Sequence, residues 1–518
     1  MKMSRFFRKA FYFDHENKSE HTAKESIPKI PMDELDSEVI YRIFEHAGDV
    51  NIYPYLNEEG PHSLNPLVIY CDGMIDQALL NDFLYIQLRK LLSEPTSGNP
   101  SPISGLPLAH QNLNRIEDPH GLDHLVQQVM SGNLVLYFDR SREAYVVQMA
   151  NPPQRTPSES NTEISIKGPR DGFTESIETN VALVRKRLKT PELAIRYFQI
   201  GQQSMTSVAL LSLINITNRD LVSEAARRLQ KVEIDGLISS QQLEVGLSDS
   251  SYAMFPLVEY MGRPDYIAEC LLRGRFAIIV DGSPMVLVGP TNLMSLIKSP
   301  EDLHLPFYYV ILERLLRMIG LTVALFLPGF WVALSAFNLD QIPFPLLATV
   351  VVSRLGLPLS GPIDLVLMIG LFELFREAGM RLPKAVGQTV AVVGGLIVGE
   401  AAISAGFTGP TTLVISAVTA VSTFTLVNQS LSGAVTVIRF GVLFLSCMFG
   451  MLGFFLSMFG IAIYMSSLTS FGVPFLSPLS PIRFRDVLFS LFASPLKLNK
   501  KRPKMYSPQD ANRQGENS

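Results

Sequence analysis

LFELFREAGMRLPKAVGQTVAVVGGLIVGEAAISA, Leu371–Ala405, decides the fold. It reads as the end of one membrane helix, a charged corner and a second complete membrane helix. The corner holds Glu373, Arg376, Glu377, Arg381 and Lys384. The second helix, Val386–Ala405, carries a small-residue face and one acid, Glu400. Acids at membrane depth are costly unless packing or water excuses them, so function is expected here first.

The chain around this stretch is divided by charge. From Met318 to Ser470 there are five basic residues and five acids, whereas the preceding 317 residues are rich in charge. That contrast predicts an α+β cytoplasmic region followed by an all-α polytopic membrane domain. At 518 residues, two or more domains are expected. A net charge of −4 argues against nucleic acid as the main partner. Three scattered cysteines, Cys71, Cys270 and Cys447, fit a reducing compartment and imply no disulfide framework. The basic start, MKMSRFFRKA, is followed by no apolar run, so no cleaved signal peptide is expected.

Residues 1–49 read as polar and partly disordered. Two similar runs follow, at 50–150 and 166–312, joined by a Pro/Ser-rich linker at 151–165. Each orders a strand, a helix, a second helix ending at a glycine, and two strands joined by a tight turn. SGNLVLYFDRSREAYVVQM in the first corresponds to RGRFAIIVDGSPMVLVG in the second. Two tandem α/β domains are therefore expected, with chance likeness of a common motif as the alternative. The basic stretch Ile166–Leu188 reads as a solvated helix, or else as an anion or membrane-surface contact. No phosphate loop, nucleotide fingerprint, nucleophile motif or zinc spacing is visible. No cofactor and no metal site are expected, and the chain is not read as an enzyme.

Residues 313–480 form the expected membrane domain. Full spans are placed at Met318–Phe337, at Ile363–Phe375 with its flanks, at Val386–Ala405 and at Phe440–Met465. Ile342–Val352 is too short to cross and reads as re-entrant. Thr411–Ile438 reads as two half-helices around the polar break Asn428–Gly433. Four crossings place the basic tail, 481–518, on the same side as the soluble region, in keeping with the positive-inside rule. Gly387, Ala391, Gly394, Gly395, Val398 and Ala402 share one helical face, with Gly399 close beside it and Val393 and Glu400 nearby. Close helix packing and a pore lining are both open readings, and they agree if several copies surround an axis. Glu373 and Glu377 serve equally as a surface charge network or a cation-attracting vestibule.

IKGPRDGFTESIETNVALVRKRL, GRFAIIVDGSPMVLV, SPEDLHLPF, FREAGMRLPKAVGQTV and SFGVPFLSPLSP together resemble the A subunit family of spore germination receptors, GerA type. The likeness runs from about Gly132 to Pro503. It implies a multi-pass protein of the bacterial spore inner membrane with its N-terminal region cytoplasmic. It also implies a transporter-like B subunit and a lipoprotein C subunit as partners. The implied function is germinant sensing, with the A subunit oligomerising into a ligand-gated cation channel. Glu400 stands where members often carry Gln, and Ile369 where an acid is frequent. A secondary transporter and a structural scaffold of the receptor complex are the competing functions.

Overall fold

The computed structural model describes residues 35–55, 65–89, 113–116, 121–153, 167–250, 252–381, 399–482, 486–487, 490 and 501–513. They form two compact units. One comprises residues 1–251, 258–290 and 499–518, and the other comprises 252–257 and 291–498.

The first unit is built on two five-stranded antiparallel sheets. The first sheet contains β1 (Val50–Pro54), β2 (Leu67–Cys71), β3 (Leu113–Arg115), β4 (Leu134–Phe138) and β5 (Glu143–Val147), ordered β1-β2-β4-β5-β3. The second contains β6 (Leu193–Ile200), β7 (Thr206–Leu213), β8 (Glu259–Met261), β9 (Phe276–Val280) and β10 (Val286–Gly289), ordered β6-β7-β9-β10-β8. The order is the same in both. Central strands β4 and β9 are LVLYF and FAIIV, buried at every position. A strand covered on both faces has no reason to alternate, and neither does.

Each central strand follows a helix that ends on a left-handed glycine. Gly132 (φ 93°) follows α3 (Gly121–Met130), and Gly274 (φ 88°) follows α7 (Pro264–Leu272). A Cβ at Gly132 would collide with the Met74 carbonyl, so glycine is required there twice over. Helix α2 (Gln77–Asp82) runs on into a wider turn at Phe83–Leu88, and α5 (Arg219–Gln230) and α6 (Ser240–Leu247) complete the second half.

Three expectations change in this unit. Residues 37–44 of the expected disordered N-terminus form α1 (Ser37–Phe44), whose Ile40 and Phe44 enter the first core. Charged neighbours on its outer face mask that i, i+4 pair in the sequence. Within the basic stretch Ile166–Leu188, the helix is α4 (Ile177–Arg185), and seven of its nine residues are buried. It is a core element, not a solvated face. Residues 501–513, read as part of a basic tail, pack on the second half-unit. Tyr506 is buried there, Gln509 bonds the Ile216 and Thr217 carbonyls, and Arg513 holds both Glu269 oxygens at 2.7 Å.

The second unit is helical. It contains α8 (Leu293–Ile297), α9 (Phe307–Val332), α10 (Phe344–Arg354), α11 (Gly361–Arg381), α12 (Pro410–Phe424), α13 (Gln429–Phe449) and α14 (Met451–Ser467), with helical residues also at 399–404. Among the described residues, Phe307–Phe337 and Gln429–Phe449 are long and apolar enough to cross a membrane. Phe344–Arg354, Pro410–Phe424 and Met451–Ser467 are shorter apolar helices.

Helices α9 and α13 run side by side in the same direction. Gly320 approaches Thr425 just before α13, and Gly329 approaches Val442 and Ser446 further along it. Helix α13 is continuous from Gln429 to Phe449, so the expected half-helix ending at Ile438 is instead the start of a full helix. The expected single segment Phe440–Met465 breaks at Gly450, whose φ of 60° ends α13 and reverses the chain into α14. A glycine inside an apolar run gives little warning of this, because it is equally compatible with helix packing.

Candidate functional site in the helical unit

Helices α11, α12 and α13 bring polar side chains together inside an apolar bundle. Arg439, on α13, is 1% exposed. Its Nη1 donates to Thr423 Oγ1 on α12 at 2.9 Å, and its Nη2 donates to Glu373 on α11. Glu373 also pairs with Arg376 one turn along, at 2.8 Å, and Arg376 donates to Ser432 Oγ on α13 at 3.3 Å. One acid is thus held between two guanidiniums, and each guanidinium reaches a hydroxyl on a neighbouring helix. A buried ion pair of this kind repays its desolvation only when the remaining donors are satisfied, which the hydroxyls help to do.

Helix α12 supplies the polar floor. Thr412, Ser416, Thr419, Ser422 and Thr423 recur at helical spacing, and all are buried. Ser416, Thr419 and Thr423 donate back to carbonyls four residues earlier, so they enter an apolar contact with their hydroxyls occupied. Their small size lets α9, α11 and α13 approach closely.

A second polar group lies nearer the start of α11. Asp364 is 2% exposed and accepts from the Gly409 amide at a long 3.5 Å. Arg354, at the end of α10, donates to the Ser335 carbonyl at 3.3 Å and to Ser335 Oγ at 3.2 Å. Asp364 and Glu373 sit nine residues apart on one helix, a rise of about 14 Å. Among the described residues, no three His, Cys, Asp or Glu side chains gather as metal ligands.

The expected site residues fall unevenly. Glu373 and Arg376 join the seam described above, and Glu377 lies one turn further along α11. Arg381 closes α11. Glu400 is helical and exposed, beside Gly399, which packs on Leu413 of α12. Gly387, Ala391, Val393, Gly394, Gly395, Val398 and Lys384 lie outside the described residues. The sequence reading missed Arg439, Thr423, Ser432, Arg354 and Asp364 as partners. Arg439 carried a usable signal, being one of only five basic residues between Met318 and Ser470. The hydroxyl stripe of α12 carried another in its three- and four-residue spacing.

In the first unit a buried ion pair is structural. Arg185 on α4 is fully buried and grips Asp49 through Nε at 2.7 Å and Nη2 at 2.5 Å. Its other donors reach the carbonyls of Thr190 and Leu193 at the start of β6. The His46 carbonyl accepts from the Ile195 amide of β6, so the Ala47–Asp49 turn is stitched to the second sheet.

The Bacillus/Clostridium GerA spore germination protein family model matches residues 38–505. The match starts well before Gly132, where the sequence reading placed its beginning, and takes in both sheets. The chain is 38% identical to spore germination protein XA of Bacillus anthracis, covering 94% of this chain and 98% of that one. It is 33% identical to spore germination protein KA of Bacillus subtilis, covering 86% and 82%. The N-terminal domain of the A subunit of the Bacillus megaterium spore germinant receptor GerK3 is 28% identical, covering 49% of this chain and 92% of that one at a TM-score of 0.36. With a family match over most of its length and a relative of this identity covered almost end to end, the chain belongs to the Bacillus/Clostridium GerA spore germination protein family.

Proposed function

We propose that this chain is the A subunit of a nutrient-sensing germinant receptor, and that its helical unit lies in the spore inner membrane and gathers into a ligand-gated ion channel. The observation that carries this reading is the Glu373–Arg439–Thr423 seam. Ionisable groups buried among apolar helices mark ion paths, or the latches that hold helices around one. Family membership supports a role in germination, with a transporter-like B subunit and a lipoprotein C subunit as partners. The matching strand orders support a duplicated domain in the soluble region.

We read α9 and α13 as running outward and α11, α12 and α14 as returning, with the span expected from the sequence at Val386–Ala405 as the remaining outward crossing. Helix α10, with eleven residues, inserts only partly. An even count leaves both ends of the helical unit on the side of the soluble unit. The packing of 501–513 on that unit supports the same reading.

The face of Gly387, Ala391, Gly394, Gly395 and Val398, with Val393 beside it, is the proposed pore lining. Glu400 is exposed, as a group facing water or a neighbouring copy would be. Germinant binding to a partner subunit opens the path only through contacts that differ between closed and open states. The test is ion release from spores carrying Val393→Ser or Val398→Ser. Release without germinant is the expected result. Release that stays wholly germinant-dependent in both variants would overturn the pore assignment.

A further inference from the structure

We propose that the first three turns of α9, Phe307 to Leu316, form an amphipathic foot lying in the headgroup layer of the bilayer, on the side of the soluble unit. This inference rests on the membrane reading above and sharpens it by fixing where the membrane surface meets the chain.

Three observations carry it. The first is length. The helical stretch Phe307–Phe337 has 31 residues, which at 1.5 Å per residue extends about 46 Å. The hydrocarbon layer is about 30 Å thick, so roughly ten residues have no place in it. The second is the split of α9 into two faces. Tyr308, Tyr309, Leu312, Leu315, Leu316 and Ile319 are between 39% and 67% exposed, and they lie on one side of the helix. Val310, Arg314, Arg317, Leu321 and Ala324 occupy the other side and are buried. The exposed stripe continues into the spanning part at Phe330 and Phe337, so it belongs to the same outer surface.

The third observation is where the charge goes. Arg314 and Arg317 would ordinarily keep this end of the helix in water. Both are turned inward onto Asp302, at 2.8 and 2.9 Å. Their remaining donors reach the Ser490 and Ile297 carbonyls and Glu313. The Asp302 side chain is itself 3% exposed, so the cluster is neutralised within the unit. What remains outside is an aromatic and leucine surface. Tyrosine with its hydroxyl at the wet end and leucine below is the composition the headgroup boundary selects. In water the same face would be a large uncovered apolar patch.

The experiment uses the full chain in phosphatidylcholine–phosphatidylglycerol vesicles, with the only tryptophan removed as Trp331→Phe. Single tryptophans are placed by Tyr308→Trp and, separately, Leu312→Trp, with Phe330→Trp as the control within the span. The quenchers are lipids brominated near the carbonyl end of the acyl chain, and aqueous iodide. The expected result is at least a twofold loss of emission at both 308 and 312 with brominated lipid, and little loss with iodide. If iodide quenches 308 and 312 while lipid quenches 330, the foot is in water and the proposal fails with the membrane reading intact. If neither quencher reaches 308 and 312, a protein surface covers them and the proposal is again overturned. If lipid fails to reach 330, the membrane reading itself falls.

Discussion

Arg439 is 1% exposed and divides its guanidinium between Glu373 on α11 and Thr423 on α12. Among the described residues Glu373 is the only acid it touches, whereas Glu373 has a second cation in Arg376 at 2.8 Å and is 20% exposed. The pair is therefore unequal. Glu373→Gln strands a buried cation and should cost the helical unit about 3–5 kcal/mol, the usual penalty for breaking a buried ion pair. Arg439→Met leaves Glu373 with Arg376 and should cost distinctly less. Thermal unfolding of the detergent-solubilised protein checks the order. Equal losses would mean that Glu373 depends on Arg439 as much as the reverse.

Asp49 and Arg185 make the corresponding prediction in the first unit. Arg185 is fully buried and Asp49 is 3% exposed, and the pair joins the turn before β1 to α4 and the start of β6. Asp49→Ala should destabilise the unit by about 3–5 kcal/mol, and joint replacement by Asp49→Leu and Arg185→Met by less. Urea unfolding of the three proteins is the measurement. A double variant as damaged as the single would mean that the backbone bonds of Arg185, not the pair, hold the seam.

The two expected α/β runs were legible because their central strands are short apolar blocks set off by glycine and a turn. Leu134–Phe138 and Phe276–Val280 agree with the sequence reading residue for residue. The edge strands were not legible. Leu113–Arg115 is three residues of mixed polarity, and Val50–Pro54 is only half covered, so neither carries an apolar period. In the helical unit the apolar helix Phe307–Val332 showed through hydropathy, but the seam did not. Glu373 and Arg439 are 66 residues apart, and nothing local in the chain says which of ten charges will meet. The break at Gly450 was hidden for a related reason. A glycine states that a left-handed turn is permitted, not that one is made.

Alkaline pH offers a separate test in the second sheet. Cys270 lies on α7 against Arg275, and burial pushes its thiol from an ordinary 9.0 up to about 11. A group whose pKa is raised by folding contributes stability below its unfolded pKa and loses it as pH climbs to the folded value. The first unit should therefore lose stability between about pH 9 and 11, and Cys270→Ala should flatten that part of the profile. Chemical unfolding across this window measures the slope. An unchanged slope in the variant would assign the loss to other groups, such as Tyr137 and Tyr145, which burial pushes up to about 12.

Gly450 gives a conformational prediction. Its φ of 60° and ψ of −134° lie where L side chains do not settle, and an added Cβ would stand 2.8 Å from the Phe337 ring. Gly450→Ala should cost about 1–3 kcal/mol by combining backbone strain with that contact. The same substitution at Gly441, which has nothing within 4 Å of its Cβ, should be neutral or mildly stabilising as a helix-interior change. Comparing the two variants in detergent separates a required turn from a general intolerance of bulk.

The segment 501–513 packs within the first unit, and its anchor is Tyr506. That ring is 2% exposed, and Arg502 beside it donates to the Leu272 carbonyl at the end of α7 and to Asp510. Truncating a buried aromatic costs about 3–5 kcal/mol, more than the few surface bonds around it can recover. Tyr506→Ala should therefore release the segment while both sheets stay folded. Release is read as faster tryptic cleavage at Lys501 and Lys504, with circular dichroism unchanged. With the helical unit spanning a membrane as proposed, the packing of this segment also bears on sidedness. A cysteine placed at the exposed position Lys504 should react only with reagent on the side of the first unit. Reaction from the opposite face alone would overturn the even number of crossings proposed above.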